Sequence, residues 1–148
     1  MSTWHDFAEA APQLAEFAYR RLHGRVAYLA TVQADGGPRV HPVTPIVGGG
    51  RLFLFMEPTS PKGRDLQRDP RYALHCGVED NGGGAGEVAV YGRAELAATP
   101  EQRALAVASS SYTPADRYIL FELHLDSVQS LVYGEAAPRR ERWPARGA

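Results

Sequence analysis

The sequence predicts a mainly β domain of the α+β class, in which six antiparallel strands close into a barrel with helices at its periphery. Its apolar segments are short and rich in strand-forming residues. Glycine-rich turn signals at 35–38 and 48–50 join consecutive segments. Strands connected by such tight turns pair antiparallel. Closure into a barrel then removes the exposed edges of the sheet.

The composition fits one domain, residues 1–148, and argues against several classes of partner. A chain of 148 residues is long enough to bury a hydrophobic core. The net charge of −1 gives no indication of a nucleic-acid or membrane surface. Cys76 is the single cysteine, so no internal disulfide can form, and we see neither a secretory leader nor an apolar span of membrane length. We therefore expect a soluble cytoplasmic protein that binds neither nucleic acid nor membranes.

Apolar periodicity and capping residues give the order of the elements. The N-terminal segment 1–24 is expected to be helical, with a short piece from Thr3 and a longer helix whose first turn contains Pro12. The tail 134–148 is rich in proline and arginine and is expected to be loosely ordered apart from Trp143. The expected strands are 25–32, 39–47, 51–56, 72–78, 87–96 and 118–133, and the later helices are 61–69 and 100–110.

The segment 59–70 carries the strongest indication of a ligand. Ser60 can cap a helix and Pro61 suits its first position. Lys62 and Arg64 follow in the first turns, where the helix dipole repels cations. A bound phosphate at the free N–H groups would explain their position, whereas the alternative is a solvated surface helix with ordinary basic residues.

The second predicted strand contains two prolines, Pro42 and Pro45. Because proline donates no hydrogen bond to a ladder, a central strand rarely contains two of them. The pattern therefore predicts either an edge strand of the barrel or a strand whose open backbone groups face a ligand.

The nucleophilic and metal-ligating residue types form no recognisable catalytic or metal motif. The five histidines show no HxxxH spacing and have no cysteine pair near them, so we predict no metal site. Cys76 lies in an apolar strand and is expected to be a core residue. There is no GxSxG motif, and the glycines at 82–86 do not follow a strand of a βαβ unit. We therefore predict no catalytic side chain.

The order of several segments resembles the pyridoxamine 5'-phosphate oxidase-like flavin split barrels, a family that includes deazaflavin-dependent reductases. The resemblance covers about residues 25–96 well and the rest loosely. The segments that carry it are Ala27 to Val32 with Asp35-Gly36 and Pro38, Val40-His41-Pro42-Val43, Arg51-Leu52-Phe53-Leu54, Ser60-Pro61-Lys62 with Asp65-Leu66 and Asp69-Pro70, and Val90-Tyr91-Gly92-Arg93-Ala94.

The resemblance implies a homodimer that binds FMN at the interface between its subunits and acts on a small-molecule substrate. Lys62 matches the phosphate-contacting lysine of the family, and Pro61 replaces an arginine that also contacts the phosphate, a contact that Arg64 could supply. Glu87 replaces a glutamine that contacts the flavin. The cofactor-binding residues implied in this way are His41, Val43, Thr44, Phe55, Met56, Ser60, Lys62, Arg64 and Glu87.

The leading hypothesis is therefore an FMN-dependent oxidoreductase. The change at Glu87, together with a C-terminus that lacks the substrate-binding pattern of the pyridoxamine phosphate oxidases, argues against oxidation of pyridoxamine phosphate itself. Three alternatives remain open on the same fold. The first is a deazaflavin-dependent reductase, whose longer acidic cofactor would contact Arg39, Arg64 or Arg93. The second is a non-catalytic haem- or flavin-binding protein, with His75 or His124 as the iron ligand. The third is a purely structural dimer.

Overall fold

In the computed structural model, which describes residues 1–134 and 136–145, the sequence forms a curled β-sheet with helices packed around it. The described part contains four helices and eight strands. The helices are α1 Trp4–Ala10, α2 Pro12–Leu22, α3 Pro61–Arg68 and α4 Pro100–Ser109. The strands are β1 Ala27–Val32, β2 Pro38–Val43, β3 Ile46–Gly48, β4 Arg51–Met56, β5 Arg71–Cys76, β6 Glu87–Leu96, β7 Ile119–Val132 and β8 Arg139–Trp143.

The strands form one antiparallel sheet with β2 and β3 at its two ends. The spatial order is β2-β1-β5-β6-β7-β4-β3, and β8 pairs with β7 outside this path. Only Thr44 and Pro45 connect β2 to β3, so the two ends of the sheet are neighbours in sequence. This arrangement confirms the predicted antiparallel split barrel with peripheral helices. It also makes β2, which contains Pro42, an edge strand.

The number of strands differs from the predicted six, because seven strands follow the path and β8 adds one more. The predicted second strand, 39–47, is divided into β2 and β3 by Thr44 and Pro45. Proline has no N–H and a fixed φ, so the ladder ends before it and a new strand begins after it.

The C-terminal tail also differs from the expectation of loose order. Residues 139–143 form β8, which pairs with the second half of β7 from Val128 to Val132. The Trp143 ring lies 5.2 Å from that of Phe7. The long β7 has room for both neighbours, because β4 pairs only with its first half. Residues 135 and 146–148 of the tail lie outside the described residues.

Two apolar clusters stabilise the fold. The main cluster fills the barrel, and it includes Phe7 of α1 and Leu22 of α2, both fully buried. The second cluster lies on the other face of β4 and β7, where Phe53 and Phe55 pack against Ala106 of α4. Each strand therefore has one side in the barrel and one side outside it, which decides which side chains can meet at a site.

The predicted helix starts are present. Thr3 caps α1, Thr99 caps α4, and the Ser60 Oγ accepts a hydrogen bond from the Gly63 N–H at the start of α3. Pro12 occupies the first turn of α2, as the sequence predicts. Among the described residues, no helix has the length and apolar character needed to cross a membrane.

The close contact between β6 and β7 gives a prediction about stability. A Cβ atom at Gly92 would lie 1.9 Å from the backbone oxygen of His124, so Gly92→Ala must push the two strands apart. We expect this substitution to lower the free energy of unfolding by roughly 2–4 kcal/mol. Gly134→Ala is the control, since its Cβ would meet no atom within 4 Å. Urea denaturation of both variants measures the effect, and equal stabilities would contradict the prediction.

Candidate cofactor site

Three segments of the chain meet at the start of α3. Arg39 of β2 donates from Nε to the Asp65 Oδ2 of α3 at 2.7 Å. At the end of β4, Met56 lies so close to the helix that a Cβ on Gly63 would be 3.3 Å from its Sδ. The absence of a side chain at Gly63 therefore allows α3 to pack against β4. The resulting arrangement brings the helix start, the edge strand and the end of β4 to one place.

The buried carboxylate of Asp65 holds this arrangement together. It is only 2% exposed. Besides the bond from Arg39, it accepts one from the Thr31 hydroxyl at 2.8 Å and one from the Arg68 Nη2 at 2.9 Å. Burial raises the pKa of Asp65, but the hydrogen bonds from Arg39, Thr31 and Arg68 outweigh burial, so the pKa lies below its ordinary value. The side chain is therefore an ionised anchor for both arginines.

Lys62 is the unusual cation of the site. It is partly buried in the first turn of α3, and burial lowers the pKa of its ammonium group from the ordinary value. Within residues 1–134 and 136–145, no carboxylate or other acceptor compensates this charge. A partly buried ammonium group is stabilised when an anion binds beside it. The geometry therefore suits a phosphate at this point.

Three arginines lie around Pro61, the residue that precedes Lys62. Arg39, Arg64 and Arg68 line a cleft of about 360 Å³ together with Pro61 and the turn that follows β1. Arg64 is exposed, whereas Arg39 and Arg68 are held by Asp65. Because Asp65 and Asp35 also line the cleft, its three arginines exceed its acids by only one positive charge.

The predicted residues of β2 lie along the inner side of the edge strand. His41 is opposite Leu29 and Val43 is opposite Ala27, both of which point into the barrel. Thr44 follows in the link to β3 and is partly buried. Arg39 is on the same side as His41 and Val43. Arg39 and His41 are partly buried, whereas Val43 is buried in the main cluster, so the two polar side chains are the ones that a ligand at this edge could reach.

Two of the predicted residues, Phe55 and Glu87, lie away from this group. Phe55 and Met56 are adjacent in β4 and point to opposite sides, so only Met56 faces α3. Phe55 packs in the second apolar cluster, with the Arg103 guanidinium 5.1 Å above its ring. Glu87 begins β6 on the outer side of the barrel, where its carboxylate lies 3.5 Å from the His75 ring.

Of the residues considered for the alternative cofactors, Arg39 and Arg64 line the cleft at α3, whereas Arg93, His75 and His124 do not. Arg93 lies on the outer side of β6 and is exposed. His75 is on the outer side of β5, with its Nδ1 2.7 Å from the Cys76 carbonyl oxygen. His124 lies between Glu95 and Glu122, and its buried Nδ1 has no hydrogen-bond partner in the part of the chain that the structure describes. Among the described residues, no three His, Cys, Asp or Glu side chains form a group that could hold a metal ion.

The buried hydrogen-bond network of Asp65 with Thr31 and Arg68 was not predicted from the sequence. Asp65 is the only acidic residue of α3 and lies among three basic ones, Lys62, Arg64 and Arg68. A single acid in a basic helix indicates an ion pair. Its partner Arg39 is 26 residues away in sequence and belongs to another element, so the pattern within the helix could not identify it.

Comparison with protein families decides the classification. The sequence profile of the pyridoxamine 5'-phosphate oxidase family matches residues 13–132, which include every strand except β8. The chain belongs to this family. Comparison with curated protein sequences gives no match.

Solved structures share the fold of this family member at low sequence identity. A haem-binding protein from Mycobacterium smegmatis has a TM-score of 0.68 and 22% identity; the match covers 86% of this chain and 56% of that protein, which is therefore considerably longer. PhzG from Burkholderia lata, in complex with tetrahydrophenazine-1-carboxylic acid, has a TM-score of 0.63 and 16% identity, over 97% and 88% of the two chains. An F420 reductase has a TM-score of 0.58 and 19% identity, over 74% and 94%. At these identities the comparisons support the fold and leave the cofactor open.

The network around Asp65 gives a prediction that depends on pH. We expect Asp65→Asn to lower the free energy of unfolding by roughly 1–3 kcal/mol at pH 7, because Arg39 and Arg68 lose an ionised partner. Since the folded-state pKa of Asp65 is depressed, its contribution is complete above the ordinary aspartate pKa and is lost as the pH falls through the lower folded value. The difference between variant and unaltered protein should therefore shrink in acid.

Urea denaturation between pH 7 and pH 2.5 measures this difference. The exposed Asp116→Asn is the matched control and should change stability little at any pH. A difference for Asp65→Asn that stays constant down to the lowest pH would contradict the assigned role of its charge.

Proposed function

We propose that this family member is an FMN-dependent oxidoreductase that acts on a small molecule. The observation that carries the proposal is the partly buried Lys62 at the start of α3, whose ammonium group forms no ion pair among the described residues. It lies in the same helical turn as the Ser60 cap and directly after Pro61, which lines the cleft together with Arg39 and Arg64. A phosphate monoester matches this arrangement, because it offers several acceptor oxygens and a charge near −2.

The remaining part of the cofactor follows the inner side of β2 in this proposal. The ring lies against Val43, Thr44 and Met56, and the phosphate lies near Lys62 and Ser60. The bound flavin supplies the hydride or electron transfer. The side chains of the chain bind and orient it, and the main apolar cluster, to which Val43 and Met56 belong, excludes water on the barrel side of the ring. No side chain is assigned as a general acid or base.

We further propose a homodimer in which the outer sides of β2, β1, β5 and β6 form the contact. Three large side chains are exposed on these strands: Val40 is 63%, Tyr28 is 48% and Tyr91 is 42% exposed. A second copy would cover this surface, as symmetric dimers do. Glu87 lies on the same outer side, so in this dimer it would face the partner subunit.

A deazaflavin coenzyme is the second candidate, and Arg64 of the cleft at α3 favours it. The longer acidic tail of that coenzyme needs positive charge beyond the phosphate contact. Arg64 is exposed and forms no ion pair among the described residues, so it can supply such charge in this cleft of about 360 Å³. Titration with FMN, the deazaflavin coenzyme and haemin separates the three cofactor hypotheses directly.

The phosphate assignment predicts a selective loss of affinity. We expect Lys62→Ala to weaken FMN binding by roughly 1–3 kcal/mol, the range for a charged hydrogen bond. Riboflavin has the same ring without the phosphate, so its affinity should not change. Arg20→Ala is the matched control, because Arg20 is exposed and paired only with Glu16 on α2. Quenching of flavin fluorescence measures all the dissociation constants.

Two results would contradict the cofactor proposal. An unchanged ratio of FMN to riboflavin affinity in Lys62→Ala would remove Lys62 from the phosphate site. Dissociation constants above about 100 μM for both FMN and the deazaflavin in the unaltered protein would correspond to less than ~5.5 kcal/mol of binding free energy. The oxidoreductase proposal would then give way to haem binding or a structural role.

The dimer proposal predicts that a charge on the outer side of β2 separates the subunits. We expect the unaltered protein to sediment as a dimer at micromolar concentration and Val40→Glu to sediment as a monomer, because each copy would bury an unpaired carboxylate in the contact. Val107→Glu is the control, since Val107 is 46% exposed on α4, away from these strands. A monomeric unaltered protein, or a dimeric Val40→Glu variant, would contradict the proposal.

A further inference from the structure

A second cleft lies between the end of α2, the start of β1 and the end of β5. It has a volume of about 380 Å³ and shares no lining residue with the cleft at α3. We call it the Arg21 cleft; its lining residues are Arg21, Arg25, Val26, Tyr28, Gly77, Val78 and Glu79.

Arg21 is a buried cation without a buried counter-charge. It is 7% exposed, and its guanidinium donates to two neutral acceptors, the carbonyl oxygens of Gly77 at 2.6 Å and Gly86 at 3.3 Å. In the part of the chain that the structure describes, no carboxylate forms an ion pair with it. Arg21 lies in the last turn of α2, where the helix dipole favours a cation. That effect is smaller than the cost of removing a charged group from water.

The rim of the Arg21 cleft adds a second cation and apolar walls. Arg25 lies 3.5 Å from Glu79, but both side chains are more than half exposed, so their attraction is weak. Three large apolar or aromatic side chains surround them: Val26 is 54%, Tyr28 is 48% and Val78 is 45% exposed. The cleft thus combines exposed apolar surface with two arginines and a single acid.

We propose that the Arg21 cleft binds a small carboxylate with an apolar or aromatic body. The carboxylate would accept hydrogen bonds from Arg21 and Arg25 and displace Glu79 from Arg25. The body would cover the apolar surfaces of Val26 and Val78; Tyr28 borders the cleft but belongs to the proposed dimer contact, and the proposal does not need it. A volume near 380 Å³ and apolar walls with few polar groups are typical of small-molecule sites. This proposal does not depend on the flavin assignment, because it uses none of the residues at α3.

Titration of the ¹⁵N-labelled full chain with benzoate at pH 7.5 tests the proposal, with benzyl alcohol as the neutral probe of similar shape. We expect benzoate to shift the amide signals of Gly77, Val78 and Arg25, and benzyl alcohol to bind at least about tenfold more weakly, because it lacks the charge. Arg25→Gln should weaken benzoate binding roughly three- to tenfold. Glu79→Gln should strengthen it roughly two- to fivefold, because a competing carboxylate is removed.

The Glu79→Gln variant keeps the test independent of folding, since a damaged protein would not bind more tightly. Arg20→Gln, on the exposed side of the same helix, is the control and should leave benzoate affinity unchanged. Equal binding of benzoate and benzyl alcohol would overturn the proposal. So would shifts centred on Lys62, or a Glu79→Gln variant that behaves like Arg20→Gln.

Discussion

The carboxylate of Asp65 joins three elements that are separate in the sequence. It accepts hydrogen bonds from Thr31 of β1, Arg39 of β2 and Arg68 of its own helix. A buried carboxylate without these partners would be strongly destabilising, so their bonds fix the position of α3 against the edge of the barrel. The same bonds fix the orientation of the Arg39 guanidinium at the cleft. The first turn of α3, with Ser60 and Lys62, therefore has a defined position relative to β2 only because this interaction is satisfied.

The architecture could be predicted from the sequence because it depends on local signals. Turn glycines, helix caps and apolar periodicity indicated the antiparallel barrel and the starts of α1, α3 and α4. The strand count was wrong, because Pro45 was counted inside a strand that it ends. The strand β8 was missed although its partner, the second half of β7, lies only 7 to 15 residues away, because its sequence Arg-Arg-Glu-Arg-Trp shows no alternation of apolar and polar residues.

The candidate site was less predictable, because membership of a site depends on which side of a strand each residue occupies. The adjacent residues Phe55 and Met56 were assigned together, yet the alternation of the strand separates them: Met56 faces α3 and Phe55 faces α4. Glu87 was assigned from the family pattern, which does not show that its side chain lies on the outer side of the barrel beside His75. Asp65 went unassigned, since its importance comes from Arg39 and Thr31 in other elements. The cationic start of α3 was predicted because cap, proline and basic residues are contiguous.

The position of β7 between β6 and β4 has a consequence for biosynthesis. Arg51 of β4 and Glu122 of β7 form an ion pair although they are 71 residues apart in the sequence. While the ribosome is still adding the segment between them, β4 has no partner on that side, and its phenylalanines have no α4 to cover them. Long-range pairing of this kind is slow and leaves apolar strand edges exposed. The nascent chain therefore completes its barrel only after most of the C-terminal third has emerged, and until then the β4 edge that pairs with β7 is exposed.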